Sequence, residues 1–322
     1  MKLYQKDVLE RIKALEIPFN KYGLDHFGVS QEHLASFFTL VKMVYRNYLS
    51  VSSHGMENIP TRGRVMLVGN HSGGVAMDAG MVLGSLMFDM DPPRLAHGMA
   101  EKFLNRTPFA SKWLSRVGQF TGLPEHAVQL LEDERALMVF PEGAKGTAKL
   151  YSERYALVKF GTGFMRLALQ TKTPIVPFGF LGGGEVIPTV MNLYSIGKLL
   201  GVPYVPVTPY IFPIPRPVPC QLYYGEPLYF EGNGNEDDET IEHYVSIVKE
   251  SIAALILKGW SDRKESGTPP GLEAYLEENP YPQLSQQAKS SMEPVSQGET
   301  ELSEPTERIP RASERTNSTV YM

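Results

Sequence analysis

Two short stretches of this chain combine residue types that can move protons at the end of a strand. The first is Asn70-His71-Ser72-Gly73-Gly74 with Asp78 close behind, entered directly from the apolar run Val65-Met66-Leu67-Val68. A run of that length bounded by turn residues predicts a buried strand. An imidazole takes up a proton near neutral pH, and a carboxylate beside it selects the tautomer and stabilises the imidazolium. His71 and Asp78 are therefore candidates for a general base and its orienting partner. A histidine that only caps a helix or is satisfied within a turn would look the same. The second stretch is Phe140-Pro141-Glu142-Gly143, which closes another short apolar run beginning at Ala136. If both runs are parallel strands of one sheet, both blocks lie at its carboxyl edge, where open α/β sheets bind ligands.

The elements that must position these blocks follow from hydrophobic periodicity. Strands are predicted at 65–68, 94–99, 136–140, 174–180 and 220–230. Helices are predicted at 76–87, 109–117, 124–132, 163–170, 190–200 and 241–255. Strands alternating with helices predict an α/β fold with a mostly parallel central sheet flanked by helices. Ahead of it stands an N-terminal helical pair. Tyr4, Val8, Ile12 and Leu15 recur at helical spacing until Pro18, and Ser30 is a good N-cap for the second helix. In that second helix Phe37, Val41, Val44, Tyr45 and Tyr48 form an aromatic-rich stripe, with Lys42 and Arg46 on another face. Core packing explains such a stripe, and so does an interfacial helix with cationic flanks. The segment 54–63 reads as a turn-rich lead-in to the His71 strand. The expected division is 1–52 as helices that dock on a membrane, 53–260 as the catalytic domain, and 261–322 as a tail. The tail is rich in Ser, Thr, Glu, Pro and Gln, which predicts disorder apart from an anchored turn near 275–281.

Composition narrows the function further. The net charge of -5 and pI near 5.9 argue against a nucleic-acid binder. A single cysteine, Cys220, excludes an internal disulfide and fits a reducing compartment. The charged N-terminus predicts no secretory signal, and the longest apolar segment, 37–51, is interrupted by Lys42 and Arg46. A cytoplasmic protein held peripherally at a membrane is the expectation. No Gly-x-Ser-x-Gly elbow, Walker loop, His-Glu-x-x-His or paired-cysteine spacing is present, so no metal is expected. Gly161-Thr162-Gly163-Phe164-Met165-Arg166 lacks the third glycine of a dinucleotide fingerprint.

Asn70-His71 with Asp78, then Phe140-Pro141-Glu142-Gly143, then Pro174-Ile175-Val176-Pro177 resemble, in order, the blocks of the lysophospholipid/glycerolipid acyltransferase superfamily. The lead-in Gly55-Met56-Glu57-Asn58-Ile59-Pro60 adds to the likeness, which covers about residues 35–230. The resemblance implies that His71 deprotonates an acceptor hydroxyl, which attacks the thioester of acyl-CoA or an acyl carrier protein, with Asp78 orienting His71. It places Asn70, Ser72, Gly73, Gly74, Phe140, Pro141, Glu142, Gly143, Lys145 and Lys149 at the substrate. Backbone N–H groups of Ser72, Gly73 and Gly74 are candidates for the oxyanion site. Glu142 either shapes the acceptor pocket or caps backbone donors. Arg154 and Lys159 join Lys145 and Lys149 as cations that face a phosphate or simply water. No cofactor is implied beyond the acyl donor as co-substrate.

The sequence departs from the family pattern in three places. Six residues separate His71 from Asp78 where the family has four, so Asp78 serves only if the loop carries a two-residue insertion. The stretch Gly118-Gln119-Phe120-Thr121-Gly122-Leu123-Pro124-Glu125-His126 lacks the phosphate-gripping arginine, and Ala144-Lys145 follows Gly143 where phosphate-handling members carry Thr-Arg. Both losses favour a neutral acceptor, such as a mono- or diacylglycerol or another lipid alcohol. The alternatives are a lysophosphatidate acyltransferase using the lysines near Glu142, and a catalytically silent lipid-binding protein.

Overall fold

The computed structural model describes residues 4–73, 77–100, 108–121, 124–211 and 214–279, all within one compact unit spanning 1–292. The chain opens with α1 (Lys6–Lys13) and α2 (Gln31–Lys42), and α2 runs on as a π-helical turn over Met43–Tyr48. There follow β1 (Ser52–His54), β2 (Val65–Gly69), α3 (Met77–Phe88), β3 (Ala96–Ala100), α4 (Pro108–Arg116), β4 (Gln119–Thr121) and α5 (Pro124–Glu132). Next come β5 (Ala136–Val139), α6 (Ala144–Thr147), α7 (Gly163–Thr171), β6 (Ile175–Leu181), α8 (Gly183–Val186), β7 (Met191–Leu193) and α9 (Tyr194–Leu200). The last elements are β8 (Val205–Val207), β9 (Gln221–Tyr224), α10 (Asp238–Asp262) and α11 (Glu273–Glu278).

Seven strands form one sheet in the order β1-β9-β6-β2-β5-β3-β4. Every pairing is parallel except β6 with β9, so the sheet is mostly parallel, as expected. Its central strands are buried on both faces. β2 and β6 are buried at every position, which is why they read as unbroken apolar runs. The connection β2–α3–β3 crosses the sheet one way and β4–α5–β5 the other, so right-handed crossovers put α3 and α5 on opposite faces. α1 and α2 pack on α3, with α4 against α2, while α7 packs on α5 and α10 packs on α7.

The N-terminal pair is part of this core. Phe38, Val41, Tyr45 and Leu49 are fully or almost fully buried, and Gly84 of α3 has no room for a Cβ because the Tyr45 ring lies against it. Tyr45 Oη reaches both Ser53 Oγ and Asp89, and burial pushes its hydroxyl well above the usual tyrosine range. Lys42 and Arg46 pair with Asp7 and Asp89 across to α1 and α3. Leu40, Met43 and Tyr48 remain exposed.

Several expectations need correction. The 190–200 segment is not one helix: Met191–Leu193 pairs as β7 with β8 in a separate antiparallel ribbon, and α9 begins only at Tyr194. The predicted 220–230 strand stops at Tyr224. Gly225 N–H still donates to Pro177 O in register, but Pro177 and Pro227 have no N–H to offer the ladder, and pairing returns only as the isolated Ile175–Leu228 bridge. β1 and β4, three residues each, were too short to show a period. At the other end, packing continues past residue 260. Trp260 Nε1 donates to Gly267 O, Tyr155 N–H donates to Pro270 O, and Leu272 is fully buried. The remainder of the expected tail, 280–322, lies outside the described residues.

Candidate active site

Register brings the two blocks together. Val68 of β2 stands opposite Val139 of β5, so Asn70-His71 and Phe140-Pro141-Glu142 leave adjacent strands at the same edge. On the other side Gly69 stands opposite Phe178, which places the end of β6 against the same site.

Asn70 closes the seam between β2 and β6 with its side chain. Its Nδ2 donates to Phe180 O at 3.1 Å, and its Oδ1 accepts from Phe180 N–H at 2.8 Å. The amide thus acts as one more rung of the ladder where the strand itself has ended. This corrects the expectation that Asn70 contacts substrate: it is fully buried and both polar groups are used.

His71 Nδ1 lies 2.7 Å from Asp78 Oδ2, with the two side chains 9 % and 1 % exposed. The carboxylate can only accept, so Nδ1 carries the proton and Nε2 keeps its lone pair. Among the described residues none hydrogen-bonds Nε2. Asp78 sits in the first turn of α3, and its other oxygen accepts from Ala79 N–H at 2.8 Å. The widened spacing therefore still delivers the acid to His71. The Phe140 ring stacks on the imidazole at 4.1 Å between centroids and 7° between planes, and Phe178 in turn meets Phe140 edge-on at 5.6 Å. The stack fixes the ring plane.

Glu142 and Lys149 grip the backbone of His71 from both sides. Glu142 Oε2 accepts from His71 N–H at 3.2 Å and from Lys149 Nζ at 2.6 Å, while Nζ also donates to His71 O at 2.6 Å. The pair is almost completely buried, and burial lowers the Lys149 ammonium below the usual lysine range while Glu142 opposes that shift. Glu142 is thus the backbone-capping carboxylate of the two readings offered for it. Lys149 does not face a phosphate or a carrier, which corrects the expectation for that residue. Arg154 is likewise engaged, with Glu185 at 2.9 Å and Tyr151 O at 2.8 Å. Lys145 and Lys159 are exposed.

The glycine-bearing loop fares differently from its expected oxyanion role. Ser72 N–H points at Asp78 Oδ2 at 3.4 Å, so it braces the acid and is not directed at a substrate. Gly73 takes φ 84°, and a Cβ there would meet Lys149 O at 2.9 Å, so only glycine suits the turn. Gly74 lies outside the described residues. Pro141 O accepts from Gly161 N–H, and Gly143, at φ 56°, starts α6. Sequence reasoning overlooked Gly146. A Cβ at Gly146 would sit 2.4 Å from Glu142 Oε2 and 2.8 Å from His71 Cβ, so this glycine lets α6 close over the histidine. A second glycine three residues after Gly143 was the available signal.

Residues 50–181 match a family model described as Acyltransferase. An uncharacterized protein of Mycobacterium tuberculosis is 31% identical over 217 residues, covering 64% of this chain. The chain spans 60% of that relative's length. A Gallus gallus protein named "DGAT1/2-independent enzyme synthesizing storage lipids" is 26% identical over 210 residues, 64% of this chain and 58% of its own length. The crystal structure of the 1-acyl-sn-glycerophosphate (LPA) acyltransferase PlsC from Thermotoga maritima aligns with a TM-score of 0.45 at 19% identity, over 70% of this chain and 82% of that one. At that distance the alignment carries nothing about the reaction. The family match falls on the same segment that brings His71, Asp78 and the Phe140 block together, so residues 50–181 are matched as an acyltransferase domain.

Proposed function

We propose that this protein transfers a fatty acyl group from acyl-CoA, or from an acyl carrier protein, to the hydroxyl of a lipid acceptor at a membrane surface on the cytoplasmic side. The observation that carries the reading is the buried His71–Asp78 pair at 2.7 Å, stacked on Phe140 with Nε2 left to act. Nε2 takes the acceptor hydroxyl proton as the oxygen attacks the thioester carbonyl carbon. The tetrahedral intermediate collapses with cleavage of the C–S bond, and the imidazolium returns the proton to the departing thiolate. Asp78 holds the ring in the required tautomer and balances its transient charge.

A neutral acceptor such as mono- or diacylglycerol fits best. The arginine that grips phosphate in related enzymes has no counterpart in 118–126, and Lys149, a candidate replacement, is spent on Glu142 and His71 O. The name of the Gallus gallus relative, a storage-lipid synthesising enzyme, points the same way. No helix among the described residues is long and apolar enough to cross a membrane.

The test incubates the full chain with labelled acyl-CoA or acyl carrier protein and a panel of monoacylglycerol, diacylglycerol, fatty alcohol, lysophosphatidate and glycerol 3-phosphate. Ester formation on the neutral acceptors, absent in His71→Ala, is expected. Product on phosphate-bearing acceptors alone would replace the neutral reading with lysophosphatidate acylation. No product with either donor would leave a silent lipid-binding protein.

A further inference from the structure

Between Glu185 and Glu226 the sequence contains no acidic residue at all, although the chain as a whole is net negative. The two charges in that stretch are Lys198 and Arg216, and both are exposed. The same stretch forms the two-stranded β7–β8 ribbon, with α9 as its connection, outside the main sheet.

Its apolar side chains are turned outward. Leu199 is 85% and Leu200 65% exposed at the end of α9, with Tyr194 at 60% on the preceding turns. Met191 of β7, and Ile211 and Ile214 beyond β8, are each at least half exposed. Ile211 also sits at φ 72°, a conformation that a β-branched residue rarely adopts, held by Ile211 N–H to Thr208 O at 2.9 Å. Backbone strain is thus spent on a turn whose side chain meets solvent. Large apolar groups clustered this way, without acids and with flanking cations, match an anionic lipid surface in both polarity and charge.

The ribbon is also fastened to the site. Asn192 Nδ2 donates to Ala148 O at 2.6 Å, Tyr151 N–H donates to Thr189 O at 2.8 Å, and the Tyr204 side chain hydrogen-bonds that of Thr147. Thr147 closes α6, the short helix that carries Gly146 against His71. Tyr48, exposed at the end of the π-helical turn, donates to Pro215 O at 2.6 Å. The last turn of the N-terminal pair therefore adjoins this face.

We infer that the ribbon and α9, residues 190–211, are the lipid-docking surface of this protein, inserting Leu199, Leu200 and Ile211 below the headgroups of a membrane bearing anionic lipid. Lys198 and Arg216 lie at headgroup level. This moves the principal membrane contact away from the N-terminal helices, whose apolar stripe is largely committed to the core. The purpose assigned to the surface, handing a membrane-borne acceptor to His71, rests on the function proposed above, but the docking itself does not.

Vesicle co-sedimentation tests it with the full chain, using phosphatidylcholine alone and phosphatidylcholine with phosphatidylglycerol. Wild type and His71→Ala are expected to bind equally, and better to the anionic vesicles. Leu199→Glu with Leu200→Glu is expected to weaken binding about 100-fold, since each leucine loses its transfer into lipid. Lys198→Gln with Arg216→Gln is expected to remove most of the anionic preference, about fivefold per cation. Independently of any loss of fold, Leu199→Trp should be quenched by brominated lipid. Undiminished binding of the double glutamate variant, or no quenching of Trp at 199, overturns the inference. So does a wild-type dimer that ignores vesicles and is dissociated by the glutamates, which would make the face a contact between two copies. Vesicle binding without acyl transfer would instead overturn the catalytic reading and leave docking intact.

Discussion

Asp78→Asn is the sharpest probe of how the site works. In the native arrangement one Asp78 oxygen accepts from His71 Nδ1–H and, at 3.4 Å, from Ser72 N–H, and the other accepts from Ala79 N–H. An asparagine has one oxygen for these donors. Whichever way it faces, its NH2 group opposes an N–H. Ala79 N–H is fixed in the helix, whereas the imidazole can move its proton. The expected outcome is an amide flipped toward His71, with Nδ1 as acceptor and the proton on Nε2, where it blocks base catalysis. The charge effect adds to this. With both side chains buried and charge centres about 4 Å apart, the attraction between imidazolium and carboxylate is worth about 4 kcal/mol at an effective dielectric of about 20. That converts to about a 1000-fold loss in kcat. Serine-protease triads lose about 10⁴ on the corresponding change. The assay is single-turnover acyl transfer at saturating donor, with thermal melting to show that the fold survives. His71→Ala should be equally impaired, and the double variant no worse than either single one. Asp78→Asn within tenfold of wild type, alongside an inactive His71→Ala, would refute the pairing and with it the reading of the widened loop.

Two further outcomes follow from the packing. Gly146→Ala should lower turnover by about 100-fold while leaving acyl-donor binding, followed by calorimetry, within a few-fold. The added Cβ must displace Glu142 or His71, and shifts of about 1 Å cost that much in a positioned site. His97 is fully buried with Nδ1 3.0 Å from Gly118 O, and burial pushes it down to about 3 from an unfolded value of 6.5. Its neutral form stabilises the fold above pH 6.5, and that contribution is lost as pH falls from 6.5 toward 3, by up to about 5 kcal/mol. His97→Asn keeps a donor for Gly118 O but cannot titrate. Urea melts from pH 7 to 4 should show a flatter acid slope for the variant, and an unchanged slope would refute the assignment.

Much of the scaffold was legible because it is locally encoded. β2, β5 and β6 announce themselves as apolar runs, since strands buried on both faces have no polar side to alternate with. Ser30 caps α2 through His33 N–H as its type and position implied. The short pieces were invisible for the converse reason. Three residues such as Ser52–His54 complete no period, and their strand character exists only through pairing with β9. Within the ribbon, apolar spacing over 190–200 suited a helix, but β8 supplied a partner strand for Met191–Leu193.

The chemistry was carried by residue type and order. His71, Asp78 and Phe140 to Gly143 stood out as reactive or ring-bearing groups beside strand ends, and parallel pairing was enough to bring them to one edge. What tertiary structure alone decided was which groups remain available. Asn70 is consumed by Phe180, Glu142 and Lys149 by the backbone of His71, and Ser72 N–H by Asp78. A polar side chain in a sequence has every partner open to it. Burial removes water as one of those partners, so a buried polar group is driven to find its partner nearby, and that requirement turned Asn70, Lys149, Glu142 Oε2 and the Ser72 N–H into the frame that holds one histidine.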